Sequence, residues 1–470
     1  MLSRKYGERG FRAISAVLRE LAASFDGGHA LMAYVDDERS LSVFGATPVS
    51  PRRPEAIRAL IEQLEHNLNG GRPLAVCLVG GGDIVPFFAL PNPADDPDGA
   101  LLSDAPYASR ADDLFHPVRA VSRLPDLAPE HAGQFVQAAL SAMRASGSAS
   151  VSTTGAGYTA SIWREAAQEV FSLLGPPQSV RMSPPWSADD YRQLHLPWAT
   201  FRYYNLHGKP DGVVWYGQKD PMLAANYADF PVALRAHDIT PAHALRSIVI
   251  TEACYGASLE PGSIASRFLG LGCSAFLGSS AMAYGAIAPP VTGADLLVKE
   301  FLRYMLAGLP AGQALQRART AFSATMMAEQ GFLDGEDQKT VLSFLLLGNP
   351  NARVRPTPAL AREAAESQQD LSQFPVVCAR SLADSRPVVL QPSLMEELEY
   401  LANSLLSSSA LAGDGVRQET CSKTPIQRQV RLGAGGAQVL TFKRQLPTGA
   451  VGIAKFTVRQ GRIAKAAVSR

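Results

Sequence analysis

Apolar runs without polar alternation divide the middle of the chain. Such runs are typical of strands buried on both faces of a parallel sheet. They are Leu74–Val79 and the run Ile248–Thr251 within Ser247–Ala257. Further strands are expected at Thr200–Gly208, which is rich in aromatic residues, at Ser274–Ser279 and at Ala30–Val35. Between them, the spacing of apolar residues predicts amphipathic helices at Gly10–Ser24, Pro51–Asn69, Trp163–Leu174, Gly293–Ala307 and Ala311–Met326. The pattern therefore predicts an α/β protein built on a mostly parallel sheet.

Two of these strands end on side chains that can do chemistry. The run in Ser247–Ala257 ends on Cys254, and the aromatic run in Thr200–Gly208 ends on His207 followed by Gly208. Because open α/β sheets place ligands at the carboxyl ends of their strands, the two runs could bring an imidazole to a thiol. A lone cysteine or histidine at such a place is usually a core residue. Together they match the requirement of a thiol nucleophile for a base.

The same two segments carry a family resemblance. A strand ending in His-Gly, YYNLHG, followed by a strand ending in Glu-Ala-Cys, IVITEACYGA, resembles the caspase-like cysteine peptidases. Four further segments resemble the gingipain-type members of that group: LAVCLVGGGDIVPF (74–87), SDAPY (103–107), VSRLP (121–125) and LGNP (347–350). The resemblance runs from about Leu31 to Val354. It implies a caspase-like, mostly parallel sheet flanked by helices, preceded by a smaller α/β subdomain.

The resemblance also implies a mechanism and site residues. Cys254 would attack the peptide carbonyl, His207 would protonate the leaving amine, and the backbone N–H groups of Cys254 and Gly208 would hold the oxyanion. Trp215 resembles the aromatic wall of the family's pocket, although local packing explains it equally well. In the long loop at 90–116, Asp112 and Asp113 fall near the acid that receives an arginine in Arg-specific members. Solvated turn acids are the alternative.

Glu252 gives a specificity hypothesis. It lies two residues before Cys254 and so shares that face of the strand. We expect it to border the pocket for the residue before the scissile bond (P1), as the matching acid does in clostripain and legumain. A buried carboxylate favours arginine over lysine because the guanidinium offers two-pronged hydrogen bonds. Legumain, whose pocket takes asparagine, keeps another P1 preference open.

The sequence does not support a phosphate-binding loop or a metal site. The run Gly80-Gly81-Gly82-Asp83 lacks the Lys-Ser/Thr of a phosphate-binding loop and predicts a tight turn instead. No His, Cys and Asp residues have metal-ligand spacing, and the hydrolysis needs neither metal nor cofactor. The expected partner is a protein or peptide substrate.

Composition narrows the class of protein further. With 46% hydrophobic and 19% charged residues, and 44 basic against 43 acidic side chains, the chain matches an ordinary globular protein. Net charge therefore gives no argument for a nucleic-acid or membrane partner. Five scattered cysteines make no disulfide framework, and the amino-terminal stretch lacks the apolar core of a signal peptide. These features predict a cytoplasmic location, unlike the secreted gingipains.

The last part of the chain has a different pattern. We expect an amino-terminal α/β subdomain over 1–150, a catalytic subdomain over 151–356 and a small α+β domain over 357–470. In the last of these, polar helices precede alternating strands, with a hairpin turn at Gln460-Gly461. From Arg417 onward, eleven basic residues face one acid. This excess fits a nucleic-acid surface, a dock for an acidic or activating protein partner, a set of cleavable sites, or a solvated sheet face.

Together these features predict a cysteine endopeptidase cleaving after Arg in preference to Lys. Two alternatives remain at this stage. One is a caspase-like effector of bacterial defence or cell death with another P1 preference. The other is a non-catalytic binding module on the same fold.

Overall fold

The computed structural model describes residues 1–24, 30–111, 113–126, 153–193, 199–222, 226–366, 376–378, 390, 392–406, 426–432 and 437–470. The helices are α1 Leu2–Ser24, α2 Glu38–Ser42, α3 Pro54–Asn69, α4 Ala105–Ala108, α5 Arg164–Phe171, α6 Ala188–Gln193, α7 Pro241–Ala244, α8 Ile264–Gly270, α9 Gly293–Leu306, α10 Ala311–Gln330, α11 Gly335–Ser343, α12 Pro358–Glu366 and α13 Pro392–Leu406.

The strands follow the same order along the chain. They are β1 Val76–Val79, β2 Phe88–Leu90, β3 Leu101–Ser103, β4 Val121–Leu124, β5 Gly155–Ala160, β6 Arg181–Ser183, β7 Phe201–Asn205, β8 Val214–Tyr216, β9 Val232–Arg235, β10 Ile248–Thr251, β11 Ala275–Ser279, β12 Tyr284–Gly285, β13 Phe344–Gly348, β14 Gln427–Leu432, β15 Gln438–Gln445, β16 Val451–Arg459 and β17 Arg462–Ser469.

One eight-stranded sheet organises the molecule, in the order β1-β4-β13-β11-β10-β7-β5-β6. All its pairings are parallel except that of β11 with β13. Strands from the segments predicted as an amino-terminal subdomain (1–150) and a catalytic subdomain (151–356) therefore lie in one sheet. The prediction of a mostly parallel α/β fold is confirmed.

Helices cover both faces of this sheet. On one face, Tyr203 and Ile250 pack in the core that includes α9 and α10. On the other, Tyr204 and Val249 pack in the core that includes α8. Because successive side chains of a strand point to opposite faces, both faces of β7 and β10 carry buried side chains. This explains why β10 shows no polar alternation, whereas β7 also buries Arg202 and Asn205.

A second sheet is formed mainly by the carboxyl-terminal part of the chain, in the order β12-β17-β16-β15-β14. Its pairings are antiparallel. The predicted hairpin turn joins β16 to β17, where Gln460 and Gly461 have φ values of 51° and 75°. Positive φ at both central residues is what a tight hairpin turn of this type requires. Strand β12 comes from the middle of the chain, between β11 and α9, so this sheet reaches into the region beside the eight-stranded sheet.

The prediction of a strand at Ala30–Val35 is wrong. The segment runs without a paired strand, and its polar groups are satisfied locally. The Tyr34 N–H donates to Ser40 Oγ over 2.9 Å, and the Val35 carbonyl accepts from the Val49 N–H over 2.9 Å. Its apolar side chains pack against the core beneath α1 instead. None of the helices in the described ranges is long and apolar enough to span a membrane.

Candidate active site

Strands β7 and β10 are neighbours in the sheet and bring the histidine and cysteine segments together. They pair in parallel, with Thr251 opposite Tyr204, so their carboxyl ends reach the same edge. Beyond these ends the two segments touch, because a Cβ atom placed on Gly208 would lie 1.9 Å from the Cys254 carbonyl oxygen. Only glycine fits at 208. The structure thus places His207, Gly208 and Cys254 at one sheet edge.

Cys254 stands on a sharp turn held from several sides. The next residue, Tyr255, has φ 53°, a left-handed conformation that is costly for an aromatic residue. Its N–H donates to the Ala281 carbonyl over 2.8 Å, and its hydroxyl bonds to Asp98. The Ala283 N–H donates to Cys254 Sγ over 3.3 Å. These contacts fix the thiol at the end of β10.

Two backbone donors at this turn are available to a reacting oxygen. Within the described ranges, neither the Cys254 N–H nor the Gly208 N–H donates a hydrogen bond to another protein group. Free N–H groups next to a nucleophile are suited to stabilise an oxyanion.

The thiol of Cys254 and the imidazole of His207 are both neutral in this arrangement. Burial raises the pKa of the Cys254 thiol to about 12, although the Ala283 N–H acts in the opposite direction. Burial likewise lowers the pKa of His207 to about 4, with the Gln218 hydrogen bond opposing and the charge of Arg470 adding to the shift. At neutral pH the pair is therefore a thiol and an uncharged imidazole.

Gln218 orients the histidine, and no sequence motif pointed to this residue. His207 Nε2 lies 2.7 Å from Gln218 Oε1, while Gln218 Nε2 donates to the Leu405 carbonyl over 2.9 Å. Because Oε1 can only accept, Nε2 carries the imidazole proton and Nδ1 is left as the base. The ring centroid also lies 4.4 Å from that of Trp163 and 5.5 Å from that of Phe230.

We expect Gln218→Ala to lower kcat about tenfold or more with a smaller change in KM, since the imidazole loses its fixed tautomer. Gln218→Glu should retain orientation and raise the pKa of His207 by adding a negative charge. The acidic limb of the pH–rate profile would then move to higher pH. Steady-state kinetics across pH test both variants, and an unchanged profile in Gln218→Glu would contradict the positioning role.

A guanidinium fills a buried acidic pocket beside the cysteine turn. Arg470 Nη2 lies 2.6 Å from Asp295 Oδ2, donates to the Ala286 carbonyl over 2.7 Å and lies 4.0 Å from Glu252 Oε2. Its central carbon stands 4.1 Å from the centroid of a Trp163 ring. The pocket combines charge, a backbone acceptor and an aromatic face, which are the features that recognise a guanidinium.

The two pocket acids are held in place by their neighbours. Asp295 accepts from Asn205 Nδ2 over 3.1 Å and from the Ala286 N–H over 2.7 Å. Glu252 accepts from the Tyr203 hydroxyl over 2.9 Å. Burial, followed by the charge of Asp295, raises the pKa of Glu252 well above its ordinary value. Asp295 therefore makes the principal ion pair, and Glu252 borders it.

The remaining predicted pocket residues lie elsewhere or outside the described ranges. Trp215 is fully buried in the core and packs on Tyr204 at 5.3 Å, because that position of β8 points into the sheet interface. The structure thus places Trp163, and not Trp215, against the guanidinium. Asp113 bonds to His116 Nδ1 over 2.6 Å and stabilises a local turn. Asp112 lies outside the described residues.

The long loop contributes through other acids. Lys339 Nζ lies 2.6 Å from both Asp96 Oδ2 and Asp98 Oδ2, and all three side chains are almost entirely buried. Asp98 also bonds to the Tyr255 hydroxyl, and Asp96 accepts from the Tyr284 hydroxyl over 2.8 Å. This network ties α11 to the cysteine turn.

We expect Lys339→Met to destabilise the protein by about 3–5 kcal/mol, because it leaves two buried carboxylates without a cation. Lys299→Met is the matched control. Lys299 pairs with Glu169 at 2.5 Å, but their side chains are 25% and 40% exposed, so its loss should cost about 0–1 kcal/mol. Urea unfolding followed by tryptophan fluorescence compares the two. Equal unfolding midpoints would contradict the structural role of the network.

Within the described part of the chain, no group of three or more His, Cys, Asp or Glu side chains is arranged to hold a metal ion.

Comparisons with known proteins find similarity among solved structures. No family model matches the chain, and no curated protein matches it. The chain is similar to the Arg-specific cysteine proteinase gingipain R, with 12% identity and a TM-score of 0.45 over 90% of this chain and 82% of that one. It is similar to a structure described as a protease, with 13% identity and a TM-score of 0.49 over 99% and 96%. A complex of the pro- and mature domains of RgpB from Porphyromonas gingivalis gives 11% identity and a TM-score of 0.49 over 98% and 91%.

Proposed function

We propose that this chain is a cysteine endopeptidase that cleaves peptide bonds after arginine. The observation that carries the proposal is the guanidinium pocket at the end of β10, next to a cysteine, a histidine and two free backbone N–H groups. A pocket that already holds an arginine beside a thiol is suited to present the peptide bond after that arginine to the thiol.

The reaction uses the groups in named roles. Cys254 Sγ attacks the carbonyl carbon while His207 Nδ1 takes the thiol proton, and the N–H groups of Cys254 and Gly208 stabilise the oxyanion. The imidazolium then gives its proton to the leaving amine, and a thioester remains. Water attacks the thioester with Nδ1 as base, and release of the acid restores the thiol.

Discrimination between arginine and lysine follows from the shape of the pocket. Asp295 and the Ala286 carbonyl accept from the same end of the guanidinium, while Trp163 covers a planar face. A lysine ammonium could make the two hydrogen bonds of Nη2 but has no plane to stack on Trp163, so it copies these contacts incompletely.

Matched fluorogenic peptides with Arg, Lys, Asn or Asp at P1 test this function, with Cys254→Ala as the blank. We expect cleavage in the order Arg, Lys, then Asn and Asp. A preference for Asn or Asp would contradict the proposed specificity, and equal hydrolysis by the blank would contradict the proposed nucleophile.

A further inference from the structure

The carboxyl-terminal strand pairs with the segment that follows the cysteine's hydrogen-bond donor. Ser469 lies opposite Tyr284 and Val468 opposite Gly285 in an antiparallel ladder. The Arg470 N–H extends this ladder by donating to the Ala283 carbonyl over 3.0 Å. Since the Ala283 N–H donates to Cys254 Sγ, the strand leads directly to the thiol.

The end of this strand lies against the nucleophile. The Cys254 thiol donates over 3.5 Å to the Ala283 carbonyl, the same oxygen that accepts from the Arg470 N–H. Ala467 of β17 and Ile453 of β16 pack in one apolar cluster with Cys254. Cys254 and His207 are only 3% and 7% exposed, so another peptide cannot reach them while the strand stays in place.

We propose that strand β17 and the following Arg470, which acts as the P1 residue, occupy the substrate groove of their own chain and keep the enzyme latent until they are displaced. The inference rests on the proposed function for the meaning of the pocket. Main-chain pairing to an exposed strand edge, with one side chain in a pocket, is a general way in which extended peptides bind. The same geometry predicts that substrates bind as strands antiparallel to β12.

Ion pairs fasten the strand and its neighbour to the catalytic region. Lys465 lies 2.6 Å from Asp334 and 2.8 Å from Asp337, at the start of α11. Lys455 pairs with Glu336 in the first turn of the same helix. The sequence alone did not decide the role of the excess of basic residues in this region. In the structure, these two lysines pair with acids of the same chain. Acids at a helix amino terminus are favourably placed, and the lysines keep them neutralised.

Arg470→Ala tests the inference by emptying the pocket. We expect at least a tenfold rise in the rate of Cys254 alkylation by iodoacetamide, followed by peptide mass spectrometry, and a similar rise in hydrolysis of an Arg peptide. Arg462→Ala is the matched control, because Arg462 lies exposed at the other end of the same strand. It should behave as the wild type.

Arg470→Ala leaves Asp295 without its guanidinium and could unfold the protein, so a second variant tests the inference independently. Lys465→Glu places a negative charge against Asp334 and Asp337 and leaves the pocket intact. It should also raise alkylation of Cys254. The synthetic peptide AKAAVSR, residues 464–470, should suppress alkylation and hydrolysis again when added to Arg470→Ala. Circular dichroism confirms that each variant is folded.

The two readouts separate the inference from the function on which it rests. Faster alkylation without hydrolysis of any peptide would support occupation of the groove and overturn the peptidase proposal. Hydrolysis of Arg peptides at equal rates by wild type, Arg470→Ala and Lys465→Glu, with equal alkylation, would overturn the latency and leave the peptidase. No hydrolysis and no change in alkylation would overturn both.

Discussion

Cys254→Ala should remove hydrolysis of every peptide that the wild type cleaves, with a fall in kcat on the order of 10⁶-fold, because the covalent step loses its nucleophile. His207→Ala should cause a loss of comparable size, since residues that act as one unit in proton transfer and attack are not additive. Steady-state kinetics with an Arg peptide measure both. The double variant should be no worse than either single one.

Cys273→Ala is the control for this pair. Cys273 is as buried as Cys254, at 1% exposure, but it belongs to the core beside β11 and has no histidine at its strand end. Its replacement should leave kcat and KM near the wild-type values. Measurable turnover in Cys254→Ala, or a comparable loss in Cys273→Ala, would show that the cysteine turn is not the reactive centre.

The strands that position this centre could be predicted because their burial is complete. Each residue of β7 and β10 is buried, including the polar Arg202 and Asn205, and both strands are rich in aromatic or β-branched residues. Adjacency of the two strands followed from parallel topology. The strand prediction at Ala30–Val35 was wrong because Tyr34 and Val35 pack against the core beneath α1. A loop that packs against a helix needs apolar residues just as a buried strand does.

The pocket could be predicted only in part. Glu252 could be predicted because it lies two residues before Cys254 and therefore on the same face of the strand. Asp295 could not, since an acid in the first turn of α9 is explained by the helix terminus alone. Trp163 was equally hidden, as it begins an amphipathic helix whose apolar residues pack in the core. Asp295 and Trp163 come together only in the folded protein, where α9 and the start of α5 pack against β7 and β10.

The residues that hold the site in place could not be predicted from the sequence for a related reason. Gln218 acquires its role from two long-range hydrogen bonds, to His207 and to the Leu405 carbonyl of α13. The lysines of the last strands were visible as an excess of charge, but their acidic partners lie on α11, far away in sequence. Counting charges in the sequence shows that the basic residues are in excess in this region. Only the tertiary fold shows which acidic residues pair with them.

Asp295→Asn should lower kcat/KM for an Arg peptide by about 30-fold or more, because loss of one member of a buried charge pair typically costs about 2–5 kcal/mol. The experiment belongs in the Arg470→Ala background, where the chain's own arginine does not compete for the pocket. Asparagine keeps the size of the side chain and an acceptor for the Ala286 N–H. The loss should therefore report charge, and cleavage of peptides with an uncharged P1 residue should change little.

Glu252→Gln and Glu300→Gln complete this comparison in the same background. Glu252 lies 4.0 Å from the guanidinium and its pKa is raised well above the ordinary value, so we expect a smaller loss than for Asp295→Asn. Glu300 lies on the same helix as Asp295 but pairs with Arg303 at 2.9 Å, and its replacement should leave kcat/KM unchanged. A loss in Glu252→Gln that exceeds the loss in Asp295→Asn would move the principal ion pair to Glu252. Equal cleavage of Arg peptides by all three variants would show that neither acid selects the P1 residue.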